Sequence, residues 1–183
     1  MQKFYKYILL VVLVGCYLAS WWIDVVDFGY SHTSEWWTRF SYLFFHGSWW
    51  HLLFNGFAMY AFLKVMGQET VFSEGFLLLS ALIGGVLGTF GSEYALPTIG
   101  ISGSVFFLLG MRAYYYRELN WVRSVVAILC AQLITPFFSM VNVKVHSLCF
   151  IYGIGYIFLI SNIKKYLRRK KNEKTMETYQ TLH

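Results

Sequence analysis

Charge is what this chain has least of. Only 13% of its 183 residues are charged, where a soluble domain carries roughly 25%, so a water-soluble globule is excluded. Acids are scarcer than bases, nine against fifteen, which leaves a formal charge of +6. The bases stand outside the apolar segments and gather near the C-terminus without a basic-aromatic binding surface. The excess therefore speaks for contact with membrane lipid, and nucleic acid is not expected as a partner. Proline occurs only twice, too seldom for the loops of a soluble fold. Three cysteines, Cys16, Cys130 and Cys149, lie in apolar stretches without metal-ligand spacing. They read as packing residues, and neither a metal nor a cofactor is expected. Internal repeats and charged midplane residues are also missing, which argues against a small transporter.

What is present is a succession of apolar segments, in a chain that is 57% hydrophobic and 21% aromatic. The first runs from Ile8 to Ile23 and ends on Trp21 and Trp22, as a span closing on an interfacial belt does. Leu13-Val14-Gly15-Cys16 has the form of a lipoprotein processing site, but the membrane segments that follow favour a first span over a cleaved signal. Asp24 to about Phe40 is polar and aromatic, suited to short helices lying in the interface. Further helices are predicted over Trp49 to Met66, over about Phe76 to Phe90, and from Ser102 to Tyr114-Tyr115-Tyr116-Arg117. A fifth runs from about Val122 to Phe138 around Pro136, and a sixth from about Val145 to Ile163. Gly84, Gly85 and Gly88 offer a close-packing face on the third.

The expected fold is an all-α polytopic membrane protein with six transmembrane helices in residues 1–166. A basic cytoplasmic tail, expected to be disordered, fills residues 167–183. Six spans put both termini on one side, where thirteen basic residues fall, against only Arg39 and Lys144 opposite. That bias assigns the termini to the cytoplasm and the loop before Ser102 to the outer side. The basic tail then needs no role beyond fixing topology and touching anionic lipid.

The stretch Gly100-Ile101-Ser102-Gly103 runs straight into apolar Val105-Phe106-Phe107-Leu108-Leu109. Alone, it reads as a turn with a helix-capping serine. Gly100 and Gly103 also let backbone come close to whatever the serine meets, and the serine sits at the positive end of a helix dipole. Its distant companions give a sharper reading. His51 and Asn55 are four residues apart on one helix and share a face. His146 opens the sixth helix, at the depth of Ser102 if the topology is right. Polar groups within a bilayer cost free energy and call for a reason.

A serine needs a base to become a nucleophile, and His146 is placed to be that base. No acidic residue lies in the fourth or sixth helix, so the expectation is a Ser-His dyad rather than a triad. His51 and Asn55 can donate hydrogen bonds to a developing oxyanion beside the Ser102 amide. Two other readings stay open. Any one of these groups alone reads better as interhelical hydrogen-bond glue, worth about 0.6–2 kcal/mol, whereas all four at one depth favour a site. A metal held by His46, His51 and His146 is disfavoured, since no H-E-x-x-H and no acidic partner accompanies them.

His46-Gly47-Ser48-Trp49-Trp50-His51-Leu52-Leu53-Phe54-Asn55, then Gly100-Ile101-Ser102-Gly103 and the later His146, resemble the rhomboid intramembrane serine proteases. The resemblance runs from Trp37 to Gly153. It implies Ser102 as nucleophile, His146 as general base, and His51, Asn55 and the Ser102 amide as the oxyanion hole. By the same resemblance His46 supports the loop above the second helix, Phe54 lines a substrate gate, and Gly153 lets the sixth helix pack closely. The implied fold is a six-helix bundle with a water-filled cavity open to the outer side. The implied activity is endoproteolysis of transmembrane protein substrates near the outer membrane boundary, leaving oligomeric state open.

Some positions depart from the usual pattern of that family. Trp37 is followed by Thr38, with Arg39 one residue late, and Leu63 and Gly67 replace the usual pair after the second helix. Phe106 stands where an aromatic hydroxyl often packs on the histidine, and can still stack on His146. Cys149 stands where a glycine often lets two helices meet. A non-catalytic relative that binds transmembrane helices is the alternative, and the presence of both Ser102 and His146 argues against it.

Overall fold

Lipid offers backbone groups no partner, so apolar segments must satisfy theirs internally, and helices do so. The computed structural model describes residues 4–69, 72–92, 95–115 and 142–181, and among these the regular elements are all helices. They are α1 (Tyr5–Ala19), a 3-10 turn (Val25–Phe28), α2 (Thr38–Ser41), α3 (Trp49–Glu69), α4 (Glu74–Leu87), α5 (Ser102–Tyr115) and α6 (Val143–Thr181). The expected fifth span, with Cys130 and Pro136, lies outside the described residues.

Several boundaries differ from the sequence expectation. α1 ends at Ala19, so Trp21 and Trp22 lie beyond it, 68% and 79% exposed. α4 begins two residues early because Ser73 caps it, its hydroxyl accepting from the Phe76 amide at 3.2 Å. α6 does not stop where the apolar sequence does. It continues to Thr181, through the residues expected to form a disordered tail. Among the described residues, α6 alone is long and apolar enough to cross a membrane, over Val143–Glu173. α1 and α4 are apolar but shorter, at 15 and 14 residues. α3 has 21 residues, but His51, Asn55 and Lys64 lower its hydropathy.

α5 is the central helix, with every residue from Phe106 to Met111 buried. It packs against α3, α4 and α6, and glycines set how close they come. A Cβ on Gly84 would fall 2.1 Å from the Phe107 ring, and one on Gly85 would fall 2.5 Å from Ser104 Oγ. On the other side Gly110 and Gly153 face backbone of the opposing helix, each with a notional Cβ 2.1 Å from a carbonyl oxygen, that of Phe150 or Phe107. α5 and α6 thus touch main chain to main chain, as small residues permit.

A buried ion pair joins α1 to α4. Lys6 Nζ donates to Glu74 Oε2 at 2.7 Å, and the Lys6 amide donates to Oε1 at 3.0 Å. The two side chains are only 4% and 9% exposed, and the ammonium also lies 5.2 and 5.7 Å from the ring centroids of Tyr7 and Tyr60. Removing one partner strands the other charge away from water. Glu74→Gln is therefore expected to cost about 3 kcal/mol, read as a fall in thermal unfolding midpoint in detergent. Lys6→Met combined with Glu74→Leu should recover most of that loss.

The segment from Asp24 to Ser48 lies over one end of the bundle. Tyr30 and Thr98 exchange backbone hydrogen bonds of 2.9 and 2.8 Å in an isolated antiparallel bridge. The Tyr30 hydroxyl lies 2.9 and 3.1 Å from the carbonyls of Thr89 and Ser92, just past α4. Arg39 Nη1 donates to Thr89 Oγ1 at 2.7 Å, and its guanidinium is held against the rings of Tyr30 and Phe90, 4.7 and 4.4 Å from their centroids. Arg39, one position later than the family pattern has it, thus helps anchor this segment to the chain just past α4. Tyr42 completes the attachment: its hydroxyl donates to Gly85 O and its carbonyl accepts from the Gly100 amide, both at 2.7 Å. The loop fixes the backbone that leads into Ser102.

Candidate active site

The site begins at Gly100, which has φ +113°, a conformation that favours glycine. Space makes the same demand. A Cβ there would lie 2.8 Å from His51 Cε1 and Nε2 and 3.2 Å from Asn55 Nδ2. His51 and Asn55, one turn apart on α3, therefore abut the backbone two residues before Ser102. Ile99 and Ile101, 1% and 0% exposed, pin the strand-like approach on either side of Gly100.

Ser102 is the first residue of α5, and its Oγ lies 2.7 Å from His146 Nε2, in the first turn of α6. The imidazole is 4% exposed. Its plane is set by Phe106, one turn after Ser102, whose ring stacks on it with centroids 4.4 Å apart and planes 13° from parallel. Phe106 thus covers the ring that an aromatic hydroxyl often covers in the family pattern. His146 Nδ1 is buried without a hydrogen-bond partner, so no carboxylate among the described residues forms a third member.

The Asn55 Nδ2 is also buried and makes no hydrogen bond. It is a donor facing the Gly100 turn with its capacity unspent. His46 packs edge-on against His51, with ring centroids 5.0 Å apart, and neither of its ring nitrogens meets a partner at hydrogen-bonding geometry. Burial, with His51 as a lesser cause, holds His46 down to about 3, so its ring is neutral. No three His, Cys, Asp or Glu side chains among the described residues come together to hold a metal. The grouping of His46, His51 and His146 as ligands is therefore not formed.

The remaining sequence candidates separate into near and far. Gly103 sits under Tyr42 and Cys149, where a Cβ would be 3.1 Å from the Tyr42 hydroxyl and 3.2 Å from Cys149 Sγ. Cys149, expected to crowd a tight contact, is accommodated because Gly88 has no side chain where its sulfur lies, and the thiol donates to Gly84 O at 3.4 Å. Gly153 lies two turns below His146 and acts on the site only through helix spacing. Phe54 is not part of the cluster. It is 61% exposed and stacks on Trp50 along the surface of α3. Sequence reasoning passed over Tyr42 and Asn142, which hold the two strands of the site in place. The available signal for Asn142 was an asparagine a few residues before the predicted sixth helix, a helix-start pattern.

The fold and the site together define a helical membrane protein in which a serine opening one helix meets a histidine opening another. The family model described as the rhomboid domain matches residues 33–163. A protein of Bacillus subtilis (strain 168) named "Putative rhomboid protease YdcA" is 25% identical over 150 residues, covering 76% of this chain and 74% of its own length. The chain belongs to the rhomboid family.

Proposed function

We propose that the protein is an intramembrane serine endopeptidase cutting transmembrane-anchored proteins near their outer membrane boundary. The observation that carries this reading is the 2.7 Å contact between Ser102 Oγ and His146 Nε2. In the proposed topology the chain crosses the membrane six times, residues 122–138 supply the fifth span, and both termini are cytoplasmic. The basic residues favour this arrangement thirteen to two.

His146 Nε2 takes the proton of the Ser102 hydroxyl as the oxygen attacks the scissile carbonyl, and Nδ1 keeps its own. Charge on the carbonyl oxygen is met by Asn55 Nδ2, His51 and the Ser102 amide. His146 then gives its proton to the departing amine. Water, deprotonated by the same ring, releases the acyl group and restores the serine. Substrate helices must unwind to present a carbonyl, so small or helix-weakening residues near the cut are expected. Neither a cofactor nor a metal enters these steps.

The test is cleavage of a single-span reporter by the purified protein in liposomes, with the cut site mapped. Loss of cleavage in His146→Ala together with a cut near the outer boundary is the expected result. A folded parent that binds the reporter and never cuts it would favour the non-catalytic reading. Within the site, Asn55→Ala should lower kcat by about 10²–10³-fold with little change in KM. A change confined to KM would remove Asn55 from the oxyanion hole.

A further inference from the structure

We infer that Asn142 is a positioning residue for His146, tying the first turn of α6 to Ser92 and through it to the loop that carries Ser102. The chemistry of this inference rests on the serine-histidine reading above. Asn142 is 1% exposed, and both ends of its side-chain amide are engaged. Oδ1 accepts from the Val145 amide at 3.2 Å, capping α6, while Nδ2 donates to Ser92 Oγ at 3.1 Å. Its main-chain carbonyl accepts from the His146 amide at 3.2 Å. One residue therefore decides where α6 starts and where, one turn later, the imidazole is carried.

The contacts continue beyond Asn142. Ser92 is 2% exposed, and its carbonyl lies 3.1 Å from the Tyr30 hydroxyl. Tyr30 pairs with Thr98, two residues before Gly100. A closed circuit of hydrogen bonds and chain thus runs from the His146 turn through Asn142, Ser92, Tyr30 and Thr98 back to Ser102.

The dyad needs such a circuit because His146 Nδ1 has no hydrogen-bond partner among the described residues. In a triad the carboxylate on that nitrogen orients the ring. Here Phe106 fixes the plane of the ring by stacking, but a stacked ring can still slide within its plane. Its position along that plane is set by the backbone of the first turn, and hence by the cap. A shift of about 1 Å is enough to cost on the order of 10²-fold in rate.

Three variants test this in the full-length protein, read by the rate of Ser102 labelling with a fluorophosphonate and by kcat and KM for a reporter. Asn142→Leu keeps the branched shape, though its methyls are bulkier, and loses both side-chain hydrogen bonds. It should lower the labelling rate and kcat by about 30-fold, with KM within about twofold of the parent. Asn142→Asp still accepts from Val145 and can accept from the Ser92 hydroxyl, so it should stay within about threefold of the parent. Ser92→Ala, which cuts the link and spares the cap, should fall between them. Parent-like rates in Asn142→Leu overturn the inference, as does an Asp variant as poor as Leu; an unchanged Ser92→Ala removes Ser92 from the circuit. Amide hydrogen exchange supplies an arm independent of activity: residues 143–147 should exchange faster in Asn142→Leu while α5 does not change. If the parent is never labelled, the serine-histidine reading falls, and exchange alone decides whether Asn142 holds the turn, with unchanged exchange overturning it.

Discussion

Ser102→Ala is expected to abolish covalent labelling by a fluorophosphonate and to leave the fold intact. The substitution removes one oxygen whose hydrogen-bond contact among the described residues is His146 Nε2, at 2.7 Å. Losing one such bond at a half-buried position changes stability by about 1 kcal/mol, far less than unfolding requires. The effect on reactivity is expected to be complete, because among the described residues no other hydroxyl is recorded in hydrogen-bonding contact with His146. Ser104 is two residues on, but it is fully buried, its Oγ meets no hydrogen-bond partner, and it faces Gly85 rather than a base. His146→Ala keeps the nucleophile without its base, and labelling should slow by about 10²–10⁴-fold. Mass spectrometry of the labelled parent should place the adduct on Ser102. Labelling that persists in Ser102→Ala would sink that assignment.

Gly153→Val is expected to prevent assembly of the native bundle, and Gly153→Ala to destabilise it by about 2–3 kcal/mol. Even an alanine Cβ would stand 2.1 Å from the Phe107 carbonyl oxygen and 3.0 Å from its carbon. The obstacle is main chain, so no rotamer change relieves it and the helices must separate. Gly110 is in the reciprocal position against Phe150, so relief on one side cannot be found by sliding toward the other. Gly155→Ala is the matched control, since nothing lies within 4 Å of its notional Cβ. It should be neutral or gain up to about 1 kcal/mol from helix propensity. Thermal unfolding in detergent separates the three, and a Gly153→Ala midpoint equal to that of Gly155→Ala would show that α5 and α6 are not in main-chain contact.

Much of this architecture is legible in the sequence, and the reasons for the gaps are physical. The glycines at 84, 85 and 88 announce a face for close packing, but spacing says nothing of what fills it. The answer includes a sulfur from α6 at Gly88, which is why Cys149 does not crowd the helices. Ser102 and His146 are legible as partners because each opens an apolar segment, whereas a contact of 2.7 Å is finer than any estimate of depth along a helix. The partners of the supporting residues were illegible for a different reason. Tyr30, Tyr42, Arg39 and Asn142 act through hydrogen bonds to backbone far away in the chain or to single hydroxyls, and no local pattern marks such partners. Phe54 is a different case, a residue adjacent in sequence to the site that the helical period turns toward the surface, outside the Ser102–His146 cluster. At the C-terminal end, composition pointed to disorder, yet Lys, Arg and Glu are good helix formers. α6 has already met the cost of nucleation, so each added residue needs only to extend it.

The unbroken run of α6 over 39 residues makes it a lever. Gly153, where it rests on α5 with no side chain between, is one of its two main-chain contacts, beside Phe150 on Gly110. His146 lies about 10 Å to one side of that point and Lys170 about 25 Å to the other, at 1.5 Å per residue. If the helix turns as a rigid rod, a displacement of about 2.5 Å at the basic end becomes about 1 Å at the imidazole. A displacement of the basic arm would thus reach His146 reduced about 2.5-fold, and a force on that arm would reach it multiplied by the same factor.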